Sequence, residues 1–167
     1  MIYFLFGEMG AGKNFVGEQL AKELGCDFFD GDIVIPPEMA DRVSKFRPLS
    51  KKMINDFVDN YLIPAILERA SGDLVVAQAL YNRRHRRKIV KSLDNVKMIY
   101  VSPPRIYTHL RRLLKRRRGF RWVIYFLLSK LFFQKPRDCF VIDNSRQLDS
   151  QIKLLTSLSA RGLQKEG

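Results

Sequence analysis

Short apolar runs alternate with longer amphipathic stretches along the chain. The runs have the length of β-strands, are rich in β-branched or aromatic residues, and cover residues 2–6, 26–29, 73–79, 96–101 and 139–142. Near-continuous hydrophobicity within a run is typical of a strand covered on both faces, as in a parallel sheet. The alternation therefore predicts an α/β domain with a parallel sheet and right-handed crossovers.

Three of the stretches between these runs carry apolar residues at helical spacing. The predicted helical stripes are Val16, Leu20 and Leu24; Met53, Phe57 and Tyr61; and Ile106, Leu110, Leu113 and Leu114. Pro64 predicts a kink or an early end in the second of these helices. No internal repeat or low-complexity linker interrupts the pattern, so we expect one domain over residues 1–167, frayed only at the tail from residue 160.

Composition narrows the range of partners. The 167 residues are 46% hydrophobic, which suits one globular domain, but the formal net charge is +13. Such an excess predicts an anionic partner, which could be a nucleotide, a sugar acid, a nucleic acid or a membrane surface. The widely spaced Cys26 and Cys139 indicate buried thiols in a reducing compartment. With no signal peptide evident, we expect a cytoplasmic protein.

One glycine-rich turn follows the first predicted strand and precedes the first predicted helix. It matches the phosphate-loop pattern G-x-x-x-x-G-K, and its residues are Gly7, Glu8, Met9, Gly10, Ala11, Gly12 and Lys13. Glycines let successive backbone N–H groups point inward at a phosphate, and the helix N-terminus adds a favourable field. We therefore predict that this turn binds nucleotide phosphates and that Lys13 reaches the β- and γ-phosphates.

The residue after the phosphate loop departs from the usual pattern. Asn14 stands where a Ser or Thr hydroxyl normally helps to hold Mg²⁺. Its side-chain carbonyl oxygen can serve as a metal ligand, although the amide must then point elsewhere. The alternative is that Asn14 caps the helix. We expect weakened or rearranged magnesium binding.

Two carboxylates follow the second predicted strand. Asp30 and Asp32 lie at its carboxyl end, the edge of a parallel sheet at which ligands bind. Alternate positions of an extended backbone point to the same side, so both carboxylates are expected to face one cleft. One could hold Mg²⁺ or take a proton from a hydroxyl, while the other accepts hydrogen bonds from the substrate. A structural Asp-Gly turn is the alternative interpretation.

Taken together, these segments resemble the small-molecule kinases of the gluconokinase and shikimate kinase group, gluconokinases most closely. Four segments carry the resemblance. They are residues 30–49, which begin D-G-D-I-V-I-P-P, V-V-A-Q-A-L-Y-N-R-R-H-R (75–86), R-L-L-K-R-R-R-G-F (112–120) and L-L-S-K-L-F-F-Q-K-P (127–136). It implies a P-loop kinase fold, a three-layer sandwich in which helices flank a five-stranded parallel sheet. It also implies a helical lid over residues 111–135.

The same resemblance implies roles for individual residues. Lys13 would hold the β- and γ-phosphates of ATP, Asp30 would lie near Mg²⁺ and the attacking hydroxyl, and Asp32 would bind the substrate. Arg112 and Arg116 match lid arginines, of which the first would contact the nucleotide and the second would neutralise charge in the transition state. Basic groups for an acidic substrate would come from Arg83, Arg84 and Arg86.

Several positions depart from the gluconokinase pattern. Ile35 and Met39 replace polar residues, and Gly119 replaces a lid histidine. We expect most of these positions to contact the substrate, and a pocket that loses polar partners discriminates a polyhydroxy acid less well. The departures argue against gluconate as the substrate and leave phosphoryl transfer itself in place.

The lid segment is both basic and apolar. Seven Lys or Arg residues between Arg111 and Arg121 precede an apolar run at 122–133, which is too short to span a bilayer. That run could pack on the core, form a homodimer contact or lie on an anionic membrane surface.

Three functional hypotheses follow. The first is an ATP- and Mg²⁺-dependent kinase acting on a small anionic metabolite. The second is a catalytically degenerate nucleotide-binding protein, and the third is a membrane- or nucleic-acid-associated scaffold.

Overall fold

The computed structural model of the chain describes residues 1–103, 130–136, 139–144 and 147–163. The strands in these ranges are β1 (Ile2–Phe6), β2 (Asp27–Asp30), β3 (Leu74–Ala77), β4 (Val96–Ser102) and β5 (Phe140–Asp143). The α-helices are α1 (Lys13–Leu24), α2 (Pro37–Ser44), α3 (Lys51–Phe57), α4 (Ile63–Arg69), α5 (Arg83–Ser92) and α6 (Leu148–Leu163). A 3₁₀-helix (Gly31–Val34) follows β2, and a π-helix (Val58–Leu62) joins α3 to α4.

The strands form one parallel sheet in the order β2-β3-β1-β4-β5. β1 is central and all five of its residues are buried, as expected for a strand hydrogen-bonded on both edges and covered on both faces. Each apolar run of the sequence contains one of these strands or overlaps it within a few residues. The prediction of a parallel α/β sheet is therefore confirmed.

Two apolar clusters cover the two faces of the sheet. Alternate residues of β1 separate between them, because successive side chains of a strand point to opposite faces. Phe4 and Phe6 join the cluster that also contains residues of α2 to α5, whereas Leu5 joins the cluster with residues of α1 and α6. The result is the predicted three-layer arrangement of helices on both faces of a sheet.

Helix α1 presents its predicted apolar stripe to the sheet. Val16 and Leu20 are fully buried, and Leu24 packs partly against the same cluster. The helix ends at Gly25, whose φ of 66° places it in the left-handed region that glycine adopts without strain. The end of α1 thereby sets the direction in which the chain enters β2.

The second predicted stripe is wrong at one position. Tyr61 is 41% exposed, and its neighbour Leu62 is fully buried instead. The π-helix causes this shift, because each of its turns holds more residues than an α-helical turn. The helix continues past Pro64 to Arg69, so the predicted early end is absent, and the local irregularity is the π-helix that precedes the proline.

Several other predictions concern segments outside the described residues. They include the third stripe (Ile106, Leu110, Leu113 and Leu114), most of the proposed lid and the greater part of the apolar run 122–133. Within that run Phe133 is buried, while Leu131 and Phe132 are exposed. No helix among the described residues is long and apolar enough to cross a bilayer. Cys26 and Cys139 are partly exposed rather than buried, and neither forms a disulfide.

The register of the π-helix can be tested by truncation. We expect Leu62→Ala to lower the free energy of unfolding by about 2–5 kcal/mol, because it leaves a cavity in the core. Tyr61→Ala should cost no more than about 1 kcal/mol, because much of this side chain is already in solvent. Urea denaturation followed by circular dichroism measures both. Equal losses would contradict the register.

Candidate active site

The turn between β1 and α1 has a shape that its glycines permit. Gly10 and Gly12 have φ values of 73° and 88°, in the region that side chains with a Cβ rarely adopt. A Cβ on Gly7 would lie 2.5 Å from the carbonyl oxygen of Val101, and one on Gly12 would lie 2.1 Å from Nδ2 of Asn144. The loop is therefore held closely against the ends of β4 and β5.

Lys13 begins α1 and folds back into this loop. Its Nζ donates hydrogen bonds to the carbonyl oxygens of Glu8 at 3.1 Å and Gly7 at 3.5 Å. Burial lowers the pKa of Lys13 to about 8, and the nearby carboxylates of Asp32, Asp30 and Glu8 oppose this shift. A buried ammonium group held by neutral carbonyls has capacity for a stronger, anionic partner.

Asn14 does not cap α1 with its side chain, so that alternative is wrong. Gly12 is the N-cap and makes no side-chain hydrogen bond. The Asn14 amide instead donates to Oδ2 of Asp30 at 2.5 Å, and Oδ1 of Asp30 accepts from the backbone N–H of Asp32 at 3.0 Å. Asn14 and Asp30 are thus brought together, and the carbonyl oxygen of Asn14 makes no hydrogen bond among the described residues.

Asp30 and Asp32 do converge, but the reason predicted from an extended backbone is wrong. β2 ends at Asp30, and Asp32 lies in the first turn of the 3₁₀-helix that Asp30 caps. Both carboxylates nevertheless act on Lys13. Burial and the Asp30 charge raise the pKa of Asp32, while Lys13 and the Gln78 side chain lower it. A carboxylate with a raised pKa is better suited to accept a proton near neutral pH.

The groups described so far come from the carboxyl ends of neighbouring strands. β1 leads into the phosphate loop, β2 supplies the two aspartates, and Gln78 follows β3 with only 4% of its surface exposed. This is the edge at which open α/β sheets bind ligands. The arrangement can hold an anionic group beside a carboxylate pair.

Three supporting contacts of the loop were not anticipated from the sequence. Asn144 Nδ2 donates to the carbonyl oxygen of Ala11 at 2.8 Å. The Met9 N–H donates to the Tyr81 hydroxyl at 3.2 Å, and Lys130 Nζ lies 3.5 Å from the buried Glu8 carboxylate. In the sequence, Asn144 and Tyr81 could have been suspected as loop contacts only because each follows the end of a strand by a few residues.

The three arginines proposed as substrate ligands have different surroundings. Arg86 is 5% exposed and donates to the carbonyl oxygens of Leu80, Tyr81 and Gln134. Arg83 donates through Nε and Nη2 to the carbonyl oxygen of Lys135 at 3.0 and 2.6 Å. Arg86 is thereby occupied in holding the chain together, and Arg83 is tied to the segment 130–136.

Arg84 lies in a different place from its two neighbours. It lines a surface cleft with His85, Lys88 and Lys91 of the same helix. The structure therefore does not bring the three arginines together at one substrate site.

Met39 and Ile35 were expected to contact the substrate, because they replace polar residues of the gluconokinase pattern. The structure instead packs both side chains against the core. Met39 is 6% exposed and belongs to the core cluster, and Ile35 packs against that cluster. Their apolar character is explained by packing, so it carries less information about the substrate than the sequence suggested. Arg112, Arg116 and Gly119 lie outside the described residues.

Comparison with known proteins extends this picture. The sequence model of the shikimate kinase family matches residues 9–118. A shikimate kinase of Actinobacillus succinogenes is 33% identical over 100 residues, covering 54% of this chain and 55% of the relative. A probable gluconokinase of Xenopus tropicalis is 32% identical over 91 residues, covering 54% and 48%. The chain thus spans about half the length of the curated relatives it matches.

Solved structures share the fold over almost the full chain. A gluconokinase from Sinorhizobium meliloti 1021 superimposes with a TM-score of 0.79 at 21% identity, covering 99% of this chain and 96% of its own. A shikimate kinase from Aquifex aeolicus gives a TM-score of 0.55 at 14% identity, covering 98% and 99%. At these identities the similarity establishes the fold alone.

The proximity of Lys13 to the carboxylates can be tested by titration. We expect the Lys13 ammonium to titrate near pH 8 in NMR spectra of the isotopically labelled chain. Asp32→Asn should move this pKa further down, because it removes a negative charge that favours the protonated form. Asp149→Asn, on α6, is the control and should leave it unchanged. A Lys13 pKa near 10.5 in the unaltered chain would contradict the geometry.

Proposed function

Because the chain belongs to the shikimate kinase family, we propose that it transfers the γ-phosphoryl group of ATP to a hydroxyl of a small, anionic metabolite. The observation that carries this proposal is that the Lys13 ammonium, held by the loop carbonyls, lies at the same edge of the sheet as Asp30 and Asp32 and close enough for their charges to act on it. Phosphoryl transfer requires mainly positioning and charge neutralisation, and these groups offer both. The degenerate alternative gains no support from the relatives.

The phosphate loop would hold the β- and γ-phosphates. Its positive φ angles and the helix N-terminus at Lys13 favour a bound anion, and the Lys13 ammonium would exchange its bonds to the Gly7 and Glu8 carbonyls for phosphate oxygens. This exchange would raise the Lys13 pKa again. Phosphate binding and full protonation of Lys13 would therefore favour each other.

Asn14 and Asp30 are the residues that would hold Mg²⁺. Both offer oxygen atoms, the ligands that this hard cation requires. No group of three or more His, Cys, Asp or Glu side chains forms a metal cluster in the described part of the chain. The remaining ligands would therefore be water and phosphate oxygens, an arrangement common for Mg²⁺ at nucleotides. When bound, the ion would neutralise phosphate charge.

Asp32 is the group that we propose for the acceptor hydroxyl. Both Asp30 oxygens already accept hydrogen bonds, whereas the pKa of Asp32 is raised by burial and by Asp30. The hydroxyl oxygen would form a bond to the γ-phosphorus as the bond from that phosphorus to the β-bridging oxygen breaks, which releases ADP. The hydroxyl proton would pass to Asp32.

An anionic acceptor is supported by charge, since the chain carries a formal net charge of +13. Arg112 and Arg116 are proposed from the family resemblance as lid residues, of which Arg112 would contact the nucleotide and Arg116 would neutralise charge in the transition state. We further propose that the protein acts in the cytoplasm, with ATP and Mg²⁺ as its cofactors. Shikimate and gluconate head the panel of hydroxy acids, polyols and nucleosides on which the acceptor should be sought.

Removal of the loop lysine tests the activity. We expect Lys13→Met to lower turnover at least about 100-fold in a coupled ADP-release assay across this panel, because a charge aimed at the transferred group is lost. Lys22→Met, on the exposed surface of α1, is the matched control and should retain turnover. The proposal fails if no compound on the panel is phosphorylated by the unaltered chain, or if Lys13→Met turns over normally.

The unusual residue after the loop can be tested in the same assay. We expect Asn14→Ser to lower the Mg²⁺ concentration for half-maximal turnover by about threefold or more, because a hydroxyl is the usual ligand at this position. Asn60→Ser removes an exposed Asn that also bonds to an aspartate, Asp56, and should change nothing. An unchanged or higher magnesium requirement in Asn14→Ser would contradict the expectation that Asn14 weakens magnesium binding.

A further inference from the structure

A second cleft lies along α5, where that helix faces α3 and the π-helix. Its lining residues are polar or charged, and they are Asn55, Asp59, Arg84, His85, Lys88 and Lys91. Its volume of about 290 Å³ lies just below the range for sites of drug-sized molecules, which begins at roughly 300 Å³. The cleft therefore has room only for a small ligand.

The cations of the cleft share one face of α5. Arg84, Lys88 and Lys91 follow each other at spacings of four and three residues, which places them in one row on a helix. His85 is 6% exposed, and its Nε2 lies 2.8 Å from Oδ1 of Asn55. This contact between the buried His85 and the partly buried Asn55 joins α5 to α3 at the base of the cleft.

The charge in the cleft is not balanced. α5 carries six Lys or Arg residues and no Asp or Glu. Asp59, presented by the π-helix, pairs with Lys88. The side chains of Arg84 and Lys91 make no hydrogen bond or ion pair within the described ranges. Two positive charges therefore remain in a concave site, where an anion would offset their mutual repulsion.

The α5 cleft and the phosphate loop are lined by different elements. The residues of the cleft come from α3, the π-helix and α5. The phosphate loop and its neighbours Asp30, Asp32 and Gln78 come from the carboxyl ends of β1, β2 and β3. A ligand held in the α5 cleft would thus occupy a site of its own.

We propose that the α5 cleft binds the phosphate group of a small soluble molecule, at a site distinct from the phosphate loop. The guanidinium of Arg84 offers a planar pair of donors that matches phosphate oxygens, and Lys91 adds a mobile charge. Asp59 fixes Lys88 at the centre of the row and leaves the two outer cations to the ligand. This inference does not depend on the proposed kinase activity.

The test uses the full chain with Lys13→Ala, so that the phosphate loop no longer competes for the probe. Inorganic pyrophosphate is titrated by calorimetry at constant ionic strength. We expect Arg84→Gln with Lys91→Gln to weaken binding at least about tenfold, because each removes a charge-assisted contact. Arg87→Gln with Lys153→Gln, which removes the same charge outside the cleft, is the matched control and should leave binding unchanged.

His85, at the base of the cleft, provides an independent measurement of binding. Pyrophosphate should shift the ring resonances of His85 in NMR spectra of the Lys13→Ala chain, and this holds whether or not the double variants fold. An equal loss of affinity in both double variants would show a general effect of net charge and overturn the proposal. So would binding to anionic vesicles or single-stranded RNA without any binding of pyrophosphate.

Discussion

The burial of one ammonium group organises this molecule. Lys13 lies in a loop of its own backbone, where burial lowers its pKa to about 8 although three carboxylates oppose the shift. Such a group is costly to hold in a folded protein unless an anionic partner joins it. The surrounding elements keep the loop in its curled shape and place Asp30 and Asp32 near the ammonium.

A second buried cation, Arg86, holds the elements behind the loop. Its guanidinium lies 4.7 Å from the ring centre of Phe6, the last residue of β1, and 5.4 Å from that of Phe133. Its hydrogen bonds join the chain before α5 to Gln134. Phe133 in turn stacks on Tyr100 and meets Tyr81 edge to face, and the hydroxyl of Tyr81 accepts from the phosphate loop. A residue that the sequence suggested as a substrate ligand thus supports the site from behind.

The sequence predicted those features that depend on local pattern. The strands, the phosphate loop and the sheet edge with Asp30 and Asp32 follow from apolar runs, glycine spacing and parallel topology. The exposure of Tyr61 could not be predicted from the spacing of apolar residues. The π-helix before Pro64 changes which side chains face the core, and an α-helical periodicity does not account for that change. The interaction of Asn144 with Ala11 joins residues 133 positions apart, and only the folded sheet brings them together.

Substitutions were harder to interpret than motifs. Met39 differs from the pattern of related kinases, yet it packs in the core, so its apolar character reflects helix packing rather than substrate choice. Asn14 is different, because its amide contacts Asp30, the carboxylate that we propose as a magnesium ligand. A change of residue type in a family pattern therefore acquires meaning only once its neighbours are known.

The most direct test of this account is the number of protons taken up when ATP binds. Calorimetry with Mg²⁺ at pH 8, in buffers of different ionisation enthalpy, measures it. A Lys13 pKa of about 8 predicts uptake of about half a proton, absent in Lys13→Met, because bound phosphate restores the full charge of the ammonium. Binding without uptake, or the same uptake in both proteins, would contradict the central role of the buried lysine.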